Sequence, residues 1–359
     1  MQRTSDSNHQ RDRDNRQTRE DRVSAIESPD NTYRFPGMTI PAPGAGYGFQ
    51  RRVWFDMLAS HCFADRRYLC PHAAADGAMV TLPLIEQEGQ LNALANYYSF
   101  AYGPIIDGSP SPDTCLALMG RIAGQLRQEH DRISLYPLPD HDGTARMMRQ
   151  AFASAGWIAL LTDQGSNHIL QLNRRDFATY WAGRPRALQT TVEHKGRTTP
   201  YCFTIHNRLT NALWQDYLTV HAASWKNAEP WPDMVRAIAE EAASRGALRF
   251  GIARAEGRPI AAQIWTIEGT TACIHKIAHN STQDRNSPGT LLAHHMFRHM
   301  IDREKIEQID HGTGNNACKR DWMEQERPML RLDCFNPHKA ALWLPALRTR
   351  ISKLVRRPS

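Results

Sequence analysis

Residues 279 to 299 read HNSTQDRNSPGTLLAHHMFRH, and two kinds of chemistry compete for this stretch. The first rests on Ser287-Pro288-Gly289-Thr290, where a polar loop gives way to a helical stripe of Leu292, Ala293, Met296, Phe297, Met300 and Ile301. A helix beginning at Gly289 presents backbone N–H groups without intrahelical partners and the positive end of its dipole, which suits a phosphate or diphosphate. Pro and Gly at a helix start are also ordinary punctuation, so a plain turn is the other reading. The second chemistry is metal ligation by His294, His295 and His299. Helix geometry turns His295 and His299 away from the apolar stripe, and no Glu stands between them as H-E-x-x-H requires, so no metal is expected here.

The elements that must position this junction are read from periodicity. TTACIHKIAH has the β-branched alternation of a strand, so the unit is strand, loop, helix, followed by a strand over IEQIDHGTG and final helical turns. Before it, LRFGIARAEGRPIAAQIWTIEG reads as hairpin strands whose reversals fall at AEGRP and EGTT, where Gly accepts positive φ. Helices are expected over LTNALWQDYLTVHAASW and WPDMVRAIAEEAASRG. The first half gives a helix over RRVWFDMLASHCF, a strand-turn unit over GAMVTLPLIEQEG, a helix with an Asp cap over DTCLALMGRIAGQLRQEH, and a strand over DRISLYPLP. A further helix, a Gly stop and two strands close it. The interleaving predicts an α/β or mixed α+β sheet, and 359 residues predict two packed cores.

The ends differ from this body. The first 22 residues hold six Arg and five acids with almost nothing to bury, so residues 1–45 are expected to be a disordered arm and linker. Residues 339–359 hold six basic residues and no acid, with Trp343, Leu347, Ile351, Leu354 and Val355 at helical spacing. This basic amphipathic tail either docks on its own domain or meets an anionic membrane or acidic partner. No apolar run is long enough to cross a bilayer. The seven Cys are scattered without a C-x-x-C pair, which excludes a zinc knuckle or disulfide framework and fits a cytoplasmic protein, at most peripheral to a membrane.

Five ordered motifs in the second half, ASWK (223–226), RPIAAQIW (258–265), HKIAH (275–279), SPGTLL (287–292) and IDHGTGNNACKRDWM (309–323), together resemble the GNAT-fold acyltransferases of the FemAB-like and cellulose-biosynthesis (CelD) type. NYYSFAYGPI (from residue 96) and YWAGRPRALQTTVEHKGR (180–197) carry the resemblance into the first half. It implies two tandem GNAT-like domains, residues 46–197 and 198–338. It also implies an acyl-CoA donor in the second, its pantetheine between splayed strands ACIHKIAH and EQIDHG and its diphosphate on Ser287, Gly289 and Thr290, flanked by Ile277 and Leu291. The implied function is N-acyl, chiefly acetyl, transfer from acyl-CoA to an amine of a sugar or polysaccharide-related acceptor, as in exopolysaccharide biosynthesis.

Such transfer needs an oxyanion donor, a proton acceptor and an acid for the leaving thiolate. Lys276 and Lys319 are the cations at motif positions, and Asp310 is the acid at the strand end. Where relatives carry K-L-A-Y-D-E and G-D-D-x-Y-K, this chain has His279, Asn280 and Ser281, and Asn315, Asn316 and Cys318. No Tyr follows Tyr217, so Cys318 is the substitute acid and His311 or His279 the substitute base. The alternatives are a degenerate GNAT pair that only binds, and an aminoacyl-tRNA-dependent transferase, the donor FemAB relatives use. The coiled-coil insertion of peptidoglycan-bridge enzymes has no counterpart here, so a nucleic-acid partner is not expected.

Overall fold

The run from residue 248 to 279 folds as three successive antiparallel strands because its two polar interruptions are reversals: Glu256 and Gly257 take φ of 48° and 79°, and Gly269 takes 58°. The computed structural model describes residues 48–314 and 317–338, so the arm at 1–45 and the basic tail at 339–359 lie outside the described residues. In chain order the strands are β1 (Tyr68–Leu69), β2 (His72–Ala75), β3 (Ala78–Thr81), β4 (Leu84–Gln87), β5 (Gln90–Ala93), β6 (Ile105–Asp107) and β7 (Arg132–Pro139). They continue as β8 (Ile158–Gln171), β9 (Cys202–His206), β10 (Leu248–Ala255), β11 (Arg258–Glu268), β12 (Thr271–His279), β13 (Gln308–Thr313) and β14 (Gln325–Phe335). The helices are α1 (Arg52–Cys62), α2 (Pro112–Glu129), α3 (Thr144–Ser154), α4 (Phe177–Ala182), α5 (Arg186–Thr198), α6 (Asn211–Ala222), α7 (Pro232–Ser244), α8 (Pro288–Asp302) and α9 (Ala317–Trp322).

Eleven strands form one mixed sheet in the order β1-β4-β5-β7-β14-β8-β13-β12-β11-β10-β9, and β2, β3 and β6 make a small second sheet. Two features depart from the sequence expectation. The segment after α9, expected to stay helical, is β14, which inserts between β7 and β8 and so returns the end of the second half to the first. The two strands expected before residue 172 are one, because β14 pairs with β8 from Gln325↔Ile169 to Phe335↔Ile158. Gln164 and Gly165 bulge out opposite Met329, where local patterning had read a break. The cap of α2 is Ser111, whose Oγ accepts from the Thr114 N–H, and not Asp113.

One apolar cluster fills the first half and continues beneath α6 and α7, where Phe250 and Ile252 of β10 meet Trp214 and Tyr217. A second lies on the opposite face of the same strands, under α8, with Phe297 held between Trp265 and Trp322 at centroid distances of 5.1 and 4.7 Å. Phe177 and Tyr180 of α4 and Leu188 of α5 pack into this second cluster. Fully burying each such side chain contributes roughly 1.5–3 kcal/mol.

Phe100, in the segment between β5 and β6, reaches across to the second half. Its ring stacks on His275 at 5.3 Å, and a Cβ on Gly312 would meet its ring carbons at 2.8 to 3.0 Å. Gly312 also has φ of 70°, a conformation that costs an L side chain strain. Gly312→Ala is therefore expected to destabilise the fold by about 2 kcal/mol, read as a lower urea midpoint at unchanged slope, with Phe100→Leu in the same chain recovering part of the loss.

Candidate active site

β12 and β13 are parallel neighbours that pair only through Thr271↔Gln308, Ala272↔Ile309 and Cys273↔Asp310. At the next residue β12 bulges: Trp265 faces Ile274 while Ile264 faces Lys276, leaving His275 as the extra residue. A bulge bends its strand, and here the bend coincides with the parting of the two strands. From residue 276 to 279 the β13-facing edge of β12 has no strand partner among the described residues. The sequence expected this divergence of ACIHKIAH from EQIDHG, and it is present.

Beside the gap stands the first turn of α8. Ser287, its N-cap, has φ of 53° and makes no side-chain cap hydrogen bond. Ser287, Gly289 and Thr290 are all partly exposed, and Gln263, itself buried, donates to the Gly289 carbonyl at 3.3 Å and pins the turn to the sheet. Ile277 is half-buried on the adjacent strand. Leu291 behaves differently from its neighbours: its side chain is buried and its N–H donates to the Ser287 carbonyl at 3.1 Å, so it supports the turn and does not share its unbonded donors. A Cβ on Gly289 would lie 2.9 Å from His279 Nδ1, so only Gly lets the His279 ring, which is hydrogen-bonded to Asp284 at 2.8 Å, cover that side of the turn.

The first half contains the same opening and closes it. β5 and β7 pair only through Leu91↔Ile133 and Asn92↔Ser134 before parting. There the Tyr102 N–H bonds the Pro137 carbonyl at 2.7 Å, its buried phenol bonds the Pro83 carbonyl at 2.6 Å, and the neighbouring helix α2 is capped by Ser111.

The residues expected to do chemistry divide into two groups. Asp310 is buried, and its oxygens accept from the Gly312 N–H at 2.7 Å and from Asn167 Nδ2 at 2.9 Å, a tie between β13 and β8. Burial pushes its carboxyl up to about 6 against the opposing pull of those hydrogen bonds. Lys319 donates to the Gly312 and Thr313 carbonyls, the latter at 2.5 Å, and so caps the end of β13. His311 is held neutral, pushed down to about 3 by burial and by the charge of Lys319, which makes it a weak base. The Cys318 side chain lies outside the described residues. Lys276 alone of this group points into a cluster at the mouth of the gap.

That cluster contains three residues the sequence reading did not single out. Glu229, in the loop between α6 and α7, accepts from Lys276 Nζ at 2.5 Å and from the phenols of Tyr97 and Tyr98. Burial would raise the Glu229 carboxyl, but the bonds from Lys276, Tyr97 and Tyr98 outweigh it and hold the group below the usual carboxylate value. Burial lowers the Lys276 ammonium, and Glu229 opposes that fall. Burial and Glu229 push both phenols up, so they remain protonated donors. The phenols missing from the second half are thus brought by the first. Their signal was the adjacent pair in NYYSFAYGPI, which no spacing rule connects to a strand almost 180 residues away. The two Trp of the loop before α7 differ: Trp231 packs against Tyr97 and Phe63, whereas Trp225 is 61% exposed and lies on His279 at 4.7 Å.

Residues 186–320 match the family described as acetyltransferase (GNAT) domain. The fold is that of the GNAT transferases. FemX superposes with a TM-score of 0.59 at 8% identity, covering 84% of this chain and 95% of that one. The C-terminal domain of a putative lysylphosphatidylglycerol synthetase from Agrobacterium fabrum gives 0.53 at 14% identity, covering 82% and 90%. L-PGS from Bacillus licheniformis gives 0.52 at 9%, covering 86% and 98%. No curated protein matches the sequence. Domain and fold together support an enzyme of GNAT type. Among the described residues no three metal-binding side chains converge: His294 sits edge-on to Trp181 at 4.5 Å, His295 stacks on Phe203, and His299 bonds Glu304 at 3.0 Å. No helix among them is long and apolar enough to cross a membrane.

The raised carboxyl of Asp310 has a consequence for stability. An acid whose folded value exceeds its unfolded value, near 3.9, is costly to ionise in the native state, so the cost enters above pH 4 and is complete above pH 6. Asp310→Asn should remove a cost on the order of 3 kcal/mol at neutral pH, with the Asn167 amide turning its otherwise unpartnered Oδ1 toward the new donor. The gain in melting temperature over the parent is expected to be largest at pH 7.5 and to shrink toward pH 4; a gain constant across that range contradicts the assignment.

Proposed function

We propose that this protein transfers an acyl group from acyl-CoA to an amine of a sugar-like acceptor. The observation that carries the reading is the parting of β12 from β13 at the His275 bulge, directly beside an α8 first turn that no side chain caps. A diphosphate suits the N–H groups of Gly289 and Thr290 together with the Ser287 hydroxyl. A thioester chain suits the unpaired edge of β12 beside Ile277, where main-chain groups otherwise lack partners.

The reaction itself asks for position. The acceptor amine attacks the thioester carbon, the C–N bond forms as the C–S bond breaks, and the departing thiolate takes a proton. Ammonium and phenol donors stand at the mouth of the gap in Lys276, Tyr97 and Tyr98, while Asp310 and Lys319 contribute by fixing the end of β13. An aminoacyl donor with a lipid or peptidoglycan-related acceptor is the second reading, favoured by the fold shared with FemX and with synthetases of lysylphosphatidylglycerol. Both readings leave membrane attachment to the tail at 340–359, which is tested by vesicle sedimentation with and without those residues.

Thermal shift separates the donors. Acetyl-CoA at a hundredfold excess over its dissociation constant should stabilise the protein by about 2.7 kcal/mol, while salt-sensitive retention of tRNA without any response to CoA would replace this reading by the second. Gly289→Val should keep the fold, since the His279 ring can swing aside, and lower CoA affinity at least tenfold by covering the first-turn amides.

A further inference from the structure

Lys276, Glu229, Tyr97 and Tyr98 form an arrangement that recognises a primary ammonium. Glu229 Oε2 accepts from Lys276 Nζ at 2.5 Å, Oε1 accepts from both phenols, and Nζ lies 4.5 Å from the Tyr98 ring centroid and 5.2 Å from that of Tyr97. A carboxylate and two aromatic faces are the groups that bind an alkylammonium out of water. The ion pair is largely removed from solvent, its side chains 12% and 10% exposed, and the phenols of Tyr97 and Tyr98 bring the first half to it.

Tyr217, on α6, is 1% exposed, and its hydroxyl has no hydrogen-bond partner among the described residues. Burial chiefly, and after it Glu229 and Tyr97, push its phenol up. Tyr97 itself is 50% exposed and presents aromatic surface to solvent at the cluster's edge. Exposed aromatic faces beside a carboxylate suit a ring that carries both C–H faces and an amine.

We propose that the acceptor is an amino sugar whose ammonium is bound by Glu229 in place of Lys276, with its ring against Tyr97. The inference rests on the transfer reading above and names the residues that select its acceptor. Glu229 binds the acceptor directly: it holds the ammonium beside the gap and discriminates it from hydroxyl and amide analogues, and the amine attacks once that proton has passed to solvent. Lys276, on the strand that borders the donor, is the counterion of Glu229 until the acceptor arrives.

Isothermal titration of the full chain at pH 7 with D-glucosamine, D-glucose, N-acetylglucosamine and ethanolamine tests this, each with and without CoA. Glucosamine is expected to bind at least tenfold more tightly than the other three. Glu229→Gln should weaken glucosamine at least tenfold and leave CoA unchanged, and Tyr97→Phe should retain more glucosamine affinity than Tyr97→Ala. Equal binding of glucose and glucosamine by the unmodified protein overturns the proposal without relying on any variant, as does an unchanged Glu229→Gln affinity. Ethanolamine binding as tightly as glucosamine overturns the sugar assignment. CoA binding without amine discrimination sinks the acceptor inference and spares the donor reading; glucosamine binding that depends on Glu229 in a protein indifferent to CoA does the reverse.

Discussion

A parallel strand pair that stops pairing after two or three residues leaves main-chain donors and acceptors that something else must satisfy. The sheet contains this situation twice, between β5 and β7 and between β12 and β13, and the two are resolved differently. In the first half the chain resolves it internally, with Tyr102 bonded into the opening and Ser111 capping the adjacent helix. In the second half the β12 edge beyond Cys273 has no strand partner among the described residues and the α8 first turn no side-chain cap, while Phe100 closes only the apex of the gap against His275 and Gly312. The first opening is bridged by side-chain and main-chain hydrogen bonds, and the second is not bridged by strand pairing. That asymmetry places the candidate chemistry in the second half, where the GNAT domain match also lies.

The electrostatics around the open gap are consistent with transfer by positioning. His275 and His311 are both driven down to about 3, chiefly by burial, and stay neutral at working pH. His275 hydrogen-bonds Thr266 at 2.9 Å, its ring lies among Phe49, Trp54 and Phe100, and its Nδ1 has no partner. Asp310 is engaged with Gly312 and Asn167. Of His275, His311 and Asp310, none combines an accessible lone pair with a value near neutrality, the combination that strong general-base catalysis requires. A thioester is already activated toward amines, so a site that orients the amine and protects the reacting atoms from water needs no such base.

How much of this was legible in the sequence follows the range of the interactions. The strand, loop and helix around SPGT were readable because period-two and period-3.6 patterns are local, and the reversals at AEGRP and EGTT announced themselves through Gly. β14 was not readable: QERPMLRLDCF is interrupted by Pro328 and by charges, and it is a strand only because β7 and β8 offer it two edges. The ion pair of Lys276 with Glu229 and the arrival of Tyr97 and Tyr98 were equally hidden, since each depends on which loops the sheet order brings together. Asp310 and Lys319 stood out by charge and motif position. Their burial, which turns both from reacting groups into ties, is a tertiary property that spacing does not carry.

The two halves depend on each other at the level of single charges. Removing an ammonium and a carboxylate from water is costly, and their attraction offsets the cost only when the remaining lone pairs of the carboxylate are also bonded. Glu229 meets that condition through Tyr97 and Tyr98, which the GNAT-matching segment does not contain. The tyrosine pair is held in turn by its own loop, where Trp54 donates to Ser99 at 3.0 Å and Tyr98 bonds the Trp231 carbonyl at 3.2 Å. β14 ties the arrangement shut by running from the end of the second half into the middle of the first half's strands. The first half therefore is not an inert duplicate whose own opening has closed. It supplies the phenols, and with Phe100 the floor, that let an ion pair sit beside the gap between β12 and β13.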